Sequence, residues 1–167
     1  MTKRKKRQSL QKRRRPWFLF AVAGLGLLLI GGFILFYNPT TATAITVNAE
    51  PVSAEQIALG KEVYNANCAS CHGPTGEGQP NWKQPDEKGA LPAPPHDSSG
   101  HTWHHADGQL LQIIAQGGSM PGSAMPAYTE TLTEAEIVAV LAYIKTFWGS
   151  EEMEFQTEVT NQNVRFN

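Results

Sequence analysis

Polarity divides this chain before any motif is read. Residues 1–15 carry nine Lys/Arg and no acid, and the next 22, Pro16 to Tyr37, carry no charge at all. As a helix those positions span about 33 Å, enough to cross the hydrocarbon core of a bilayer. A single transmembrane anchor is therefore predicted over 16–37. Its cationic flank over 1–15 predicts a cytoplasmic N-terminus, with everything after the span on the extracytoplasmic side of the cell membrane. The alternative is a signal peptide cleaved after Ala44, since Ala42-Thr43-Ala44 satisfies the small-x-small rule. The uncharged stretch exceeds the roughly 7–15 residues of a secretory apolar core, which favours retention. Residues 38–52, rich in Pro, Thr and Ala, read as a linker.

Beyond the linker the pattern is helical. Ser53-Ala54-Glu55-Gln56 fits a capping box, and Ile57, Gly60, Val63 and Tyr64 then share one face. Gly73 to Pro95 reads as a long loop, broken by six prolines and repeated glycines. A second helix is predicted from about Asp107 to Ala115, with Leu110, Leu111, Ile113 and Ile114 as its apolar content and Gly117-Gly118 as its stop. A third opens on the capping box Thr133-Glu134-Ala135-Glu136 and carries an apolar stripe of Ile137, Val140, Leu141, Ile144 and Trp148, ending at Gly149. Residues 150–167 read as an acidic polar tail, in which Phe155 to Val164 is compatible with a short strand. No other strand is predicted, so the class is all-α.

Charge sharpens this division. Five of the 14 basic residues and all 15 acids lie after the span, giving the exported part a formal charge of −10 where the whole chain has −1. Such a surface suits a partner with a basic docking face and a salt-sensitive encounter, although solubility alone is a sufficient use for it. No arrangement of acid, base and nucleophile asks for a small-molecule substrate, and nothing points to nucleic acid.

The chemistry lies in Cys68-Ala69-Ser70-Cys71-His72. C-x-x-C-H is the attachment signature of a c-type haem: two thiols three positions apart add to the two vinyl groups of one porphyrin, and the adjacent imidazole is held near the iron. These are the only two cysteines. A structural zinc site would need four ligands, and a thioredoxin-like pair would need a βαβ context; neither is visible.

With these residues in view, residues 53–149 resemble a class I cytochrome c domain. Gly60 stands eight before Cys68 and Tyr64 four before it, as in that family. The resemblance implies the cytochrome c fold around one covalently bound haem, attached outside the cytoplasm. The first and last helices would cross at Gly60, and Tyr64 would pack on Val140 and Tyr143. It also implies His72 and a methionine as the two axial ligands of the iron. Met125-Pro126-Ala127-Tyr128, followed by Leu132-Thr133, matches the family's ligand loop, with Met120 as the alternative; Met153 lies in the tail. In the family a proline carbonyl orients the proximal histidine. Among Pro92, Pro94 and Pro95 the choice falls on Pro95, with Pro94 nearly equal.

Four of the five histidines stand between Pro95 and His105, unlike most class I cytochromes. They read as a polar loop over the haem edge, as a second metal site using His101 and His105, or as a proton-linked tuner of the haem. The function expected is one-electron transfer by a membrane-anchored haem protein moving between respiratory redox partners. The alternatives are a fixed haem subunit of a larger membrane oxidoreductase and, third, a sensor or enzyme with an open distal site.

Overall fold

A computed structural model describes residues 44–166. The basic segment 1–15 and the predicted span 16–37 lie outside those residues. Among the described residues no helix is long and apolar enough to cross a membrane.

The expected linker ends in a hairpin. Strand β1 (Thr46–Val47) pairs antiparallel with β2 (Glu50–Pro51) in the register Thr46 to Pro51 and Val47 to Glu50. The two turn residues, Asn48 and Ala49, both have positive φ (52° and 67°). That turn matches the right-handed twist of paired strands, and the Asn48 N–H donates to Asp107 Oδ2 at 2.8 Å. Val47 is buried in the core.

Helix α1 (Ala54–Asn67) opens on the predicted capping box: the Gln56 N–H donates to Ser53 Oγ, and the Ser53 N–H to the Gln56 side chain. A single turn, α2 (Ala69–His72), follows directly. The loop then runs to a 3-10 turn at Thr102–His104 and helix α3 (Asp107–Gln116), which Gly117 ends at φ 85°. Helix α4 (Glu134–Lys145) is capped by Thr133 and Glu136 as predicted. It is the core element, burying Ile137, Ala139, Val140, Leu141, Ala142, Ile144 and Lys145.

α1 crosses α4 at Gly60, where an added Cβ would collide with the Ala139 carbonyl. Tyr64, fully buried, packs edge-on against the rings of Tyr143 and Phe147 at centroid distances of 5.4 and 5.6 Å. Trp148 lies past the end of α4 rather than on it. It is still buried, and its indole N–H donates to the His96 carbonyl at 2.8 Å.

Residues 150–166 are neither tail nor strand: Ser150–Phe166 is a helix, α5. Met153, Gln156 and Thr160 face inward, and Glu151 and Glu152 sit in the first turn, where negative charge suits the helix dipole. Two of the three inward residues are polar because they meet a buried ion pair. Asp107 and Lys145, each about 1% exposed, lie 2.6 Å apart. Lys145 Nζ also donates to the Thr46 carbonyl (2.6 Å) and to Gln156 Oε1 (3.0 Å). Gln156 Nε2 donates to Asp107 Oδ1 (2.7 Å), and the Asp107 N–H donates to Thr160 Oγ1 (3.0 Å). Burial pushes the Lys145 ammonium below its ordinary range, and the Asp107 carboxylate opposes that shift. One network thus joins the hairpin, α3, α4 and α5.

Candidate haem-attachment site

The end of α1 shapes the site. The Cys68 N–H completes the helix on the Tyr64 carbonyl, while the Cys68 carbonyl starts the next turn by accepting from the N–H groups of Cys71 (3.1 Å) and His72 (2.9 Å). Both thiols are free. Cys68 is half-buried and Cys71 exposed. Burial pushes the Cys68 thiol up to about 11, with the neighbouring Cys71 adding to the shift. Gly73, at φ 81°, turns the chain out of α2, and its carbonyl accepts from the Tyr64 hydroxyl at 2.9 Å.

His72 is 7% exposed, and its Nδ1 lies 2.9 Å from the Pro94 carbonyl. Burial lowers its proton affinity and the carbonyl partly opposes this. Nδ1 donates to that carbonyl, which leaves Nε2 as the ring atom able to meet a metal. The partner is Pro94 rather than the predicted Pro95. The Pro95 carbonyl points elsewhere, accepting from Thr102 Oγ1 at 3.3 Å. Carbonyls of adjacent residues in an extended loop face opposite ways, so one position decides the contact.

Sequence reasoning set His96 within the histidine run but gave it no contact of its own. Its ring stacks on that of His72, with centroids 4.1 Å apart and planes 20° apart, and its Nδ1 lies 3.1 Å from Thr102 Oγ1. Burial, and then the adjacent His72, hold it well below the ordinary imidazole range. The signal available was its place two residues after the proline that orients His72.

The two methionines differ. Met120 is 66% exposed, whereas Met125 packs against the core. The Met125 loop is held at several points: the Gly118 N–H donates to the Met125 carbonyl, the Met125 N–H to Ser123 Oγ, and the Tyr128 N–H to the Ala115 carbonyl. The Tyr128 hydroxyl then donates to the Asn67 carbonyl at 2.8 Å, tying this loop to the residue before Cys68. Burial, followed by the two cysteines, raises the Tyr128 phenol.

The rings of His101 and His105, considered for a second metal site, lie 5.4 Å apart. Among the described residues no group of three or more His, Cys, Asp or Glu is placed to hold a metal ion. The 3-10 turn lies between them, and His101 Nδ1 is buried without a hydrogen-bond partner. His101 lies flat on Trp82 (5.4 Å, 8°) and meets His105 only edge-on. His105 Nδ1 faces Gln109 Oε1 at 3.2 Å, and His104 packs against Trp103.

Residues 57–148 match the sequence profile of the family described as Cytochrome c, more than half of the 167 residues. The chain belongs to the cytochrome c family. It is 34% identical over 110 residues to chloroplastic cytochrome c6 of Chlamydomonas reinhardtii, covering 63% of this chain and 64% of that protein. Over 87 residues it is 36% identical to cytochrome c6 of Leptolyngbya boryana, covering 52% of this chain and 87% of that one. It is 26% identical over 114 residues to the cbb3-type cytochrome c oxidase subunit CcoP of Azospirillum sp. (strain B510), covering 68% of this chain and 36% of that subunit. This cytochrome thus spans just under two thirds of the length of the algal protein and about a third of the oxidase subunit.

As a class I cytochrome c it carries one covalently bound haem c with its iron. The donor set fits that group: two cysteines on one helical turn with no disulfide between them, and an imidazole whose Nδ1 is already committed.

Proposed function

We propose that this cytochrome is a membrane-anchored one-electron carrier whose haem is held by Cys68 and Cys71 and ligated by His72 and Met125. When bound, haem c supplies an iron that takes up and gives up one electron. The chain's own residues do the rest. The Pro94 carbonyl orients His72 and raises its basicity as a ligand. Methionine, a weak donor, favours the reduced state relative to more basic ligands. The observation that carries the Met125 assignment is the Tyr128–Asn67 hydrogen bond, which draws the loop of a half-buried methionine to the end of α1. Met120 has no such support and is exposed.

The anchor rests on the uncharged stretch 16–37 behind its basic flank. It would hold the haem domain on the extracytoplasmic face of the cell membrane and keep it close to membrane-bound partners. The acidic surface favours redox proteins with a basic docking face. A second reading, a fixed haem subunit of a larger membrane oxidoreductase, draws on the likeness to a cbb3-type oxidase subunit.

Optical spectra of the purified protein test the ligation. A weak long-wavelength ferric band, as methionine–iron bonding gives in class I cytochromes, is expected, with no change when the reduced protein meets carbon monoxide. Met125→Ala abolishes the band and Met120→Ala leaves it. Immediate carbon monoxide binding by the unmodified protein would overturn the carrier reading in favour of an open-site sensor or enzyme. Extraction in mild detergent separates the other two: a carrier elutes alone, a subunit with its neighbours.

A further inference from the structure

The loop Pro94-Pro95-His96 meets His72 twice. The Pro94 carbonyl takes the Nδ1 edge of the ring, and the His96 imidazole covers one face of it. A single hydrogen bond fixes one point on a ring but leaves the ring free to swing about the donor–acceptor line. A flat group against the face removes that freedom.

His96 is itself unusually well fixed. Its backbone N–H donates to the Gly76 carbonyl at 2.6 Å, and its own carbonyl accepts the Trp148 indole N–H at 2.8 Å. The Thr102 hydroxyl spends its only hydrogen on the Pro95 carbonyl, so it can only accept from His96 Nδ1. The His96 ring therefore carries a hydrogen on Nδ1 and is held in one plane. Tyr64, whose ring is fully buried, meets it edge-on at 6.2 Å.

We propose that His96 is a positioning residue for electron transfer: stacked on His72 and pinned by Thr102, it sets the plane in which the proximal imidazole meets the haem. This rests on His72 being the proximal ligand. The orientation of that plane decides how the unpaired electron of ferric iron spreads over the porphyrin, and orienting groups outside the ligand shell tune potential as well as affinity.

The test is proton NMR of the ferric holoprotein, reading the order and spread of the four haem methyl signals, together with the midpoint potential and the melting temperature. His96→Ala is expected to reorder or compress the methyl pattern and to shift the potential. His96→Phe, which restores a flat face without the Nδ1–H, is expected to return the methyl order to that of the unmodified protein. Thr102→Val, which loses the same hydrogen bond as His96→Phe and keeps the flat face, should likewise keep the methyl order. If His96→Ala takes up no haem, His96→Leu replaces it, filling the volume without a flat face, under the same expectations. An unchanged pattern and potential in the Ala or Leu variant overturns the proposal. So does a Phe variant displaced as far as the Ala variant while melting like the unmodified protein. His72→Ala guards the underlying assignment. If it keeps the six-coordinate low-spin spectrum, the ligand reading fails. If that spectrum is lost while His96→Ala and His96→Leu are silent, only the role of His96 falls.

Discussion

Gly60 on α1 lies against the backbone carbonyl of Ala139 on α4, with no room between them for a side chain. The obstacle is main chain, so it cannot rotate away, and Tyr143 Cβ closes the same space at 3.0 Å. Gly60→Ala must therefore part the two helices that enclose the core. Overpacking of this kind costs about 1–3 kcal/mol and more where the neighbour is rigid. The upper end of that range is expected, read by equilibrium denaturation of the holoprotein. A variant as stable as the unmodified protein would show that the crossing yields.

The Asp107–Lys145 pair predicts an asymmetry. Removing one partner leaves a buried charge uncompensated, at a cost of roughly 3–5 kcal/mol. Lys145→Met and Asp107→Ala should each be severe, while the double variant should lose less than the sum of the two, which a double-mutant cycle measures. Gln156→Ala, which strips hydrogen bonds from both members, should cost about 1–3 kcal/mol. Phe155→Ala one residue earlier, on a side chain 45% exposed, should cost clearly less.

Tyr128→Phe removes one hydroxyl and the tie to Asn67. The expected loss is about 1 kcal/mol of global stability, with little change in helix content. Its specific effect should fall on the Met125 loop. External ligands such as cyanide should bind the ferric protein faster, because the loop lifts more often. Unchanged binding rates would mean that its remaining backbone bonds suffice.

Acid sensitivity should begin at the helix caps. Glu136 is held below the usual carboxylate range by the Thr133 N–H first and the Thr133 hydroxyl second. The unfolded chain therefore takes up this proton before the folded one does. The stabilisation is complete above the unfolded value of about 4.3 and is lost as pH falls through the lower folded value. Denaturation midpoints measured from neutral pH downward should show less acid loss in Glu136→Gln than in the unmodified protein.

What could be read in advance was local. Both capping boxes, the limits of α3 and the haem-attachment turn are each specified within a few neighbouring residues, and they stand where the pattern put them. Helix α5 was hidden because its inward face carries Gln156 and Thr160, whose reason for being buried lies at Asp107 and Lys145, far off in sequence. The hairpin at 46–51 was hidden likewise: four paired residues make no periodic signal, and their turn is held by Asp107. The exchange of Pro95 for Pro94 turns on the direction of one carbonyl in an irregular loop. The stacking of His96 on His72 depends on the same loop, so the histidine run read as a polar loop over the haem edge without showing which ring meets the attachment site.

The bond from Tyr128 to Asn67 has a mechanical side. Cys68 and the turn carrying His72 continue from the last residue of α1, and the loop carrying Met125 hangs from that residue's carbonyl. Two segments separated by more than fifty positions therefore share one rigid mounting. A fluctuation that lifts the loop must either release that bond or bend the helix end beside Cys68, so the loop does not drift by small steps. The surroundings of the attachment site change by a discrete event or hardly at all, which is what the carrier proposed above requires if each encounter is to meet the same geometry.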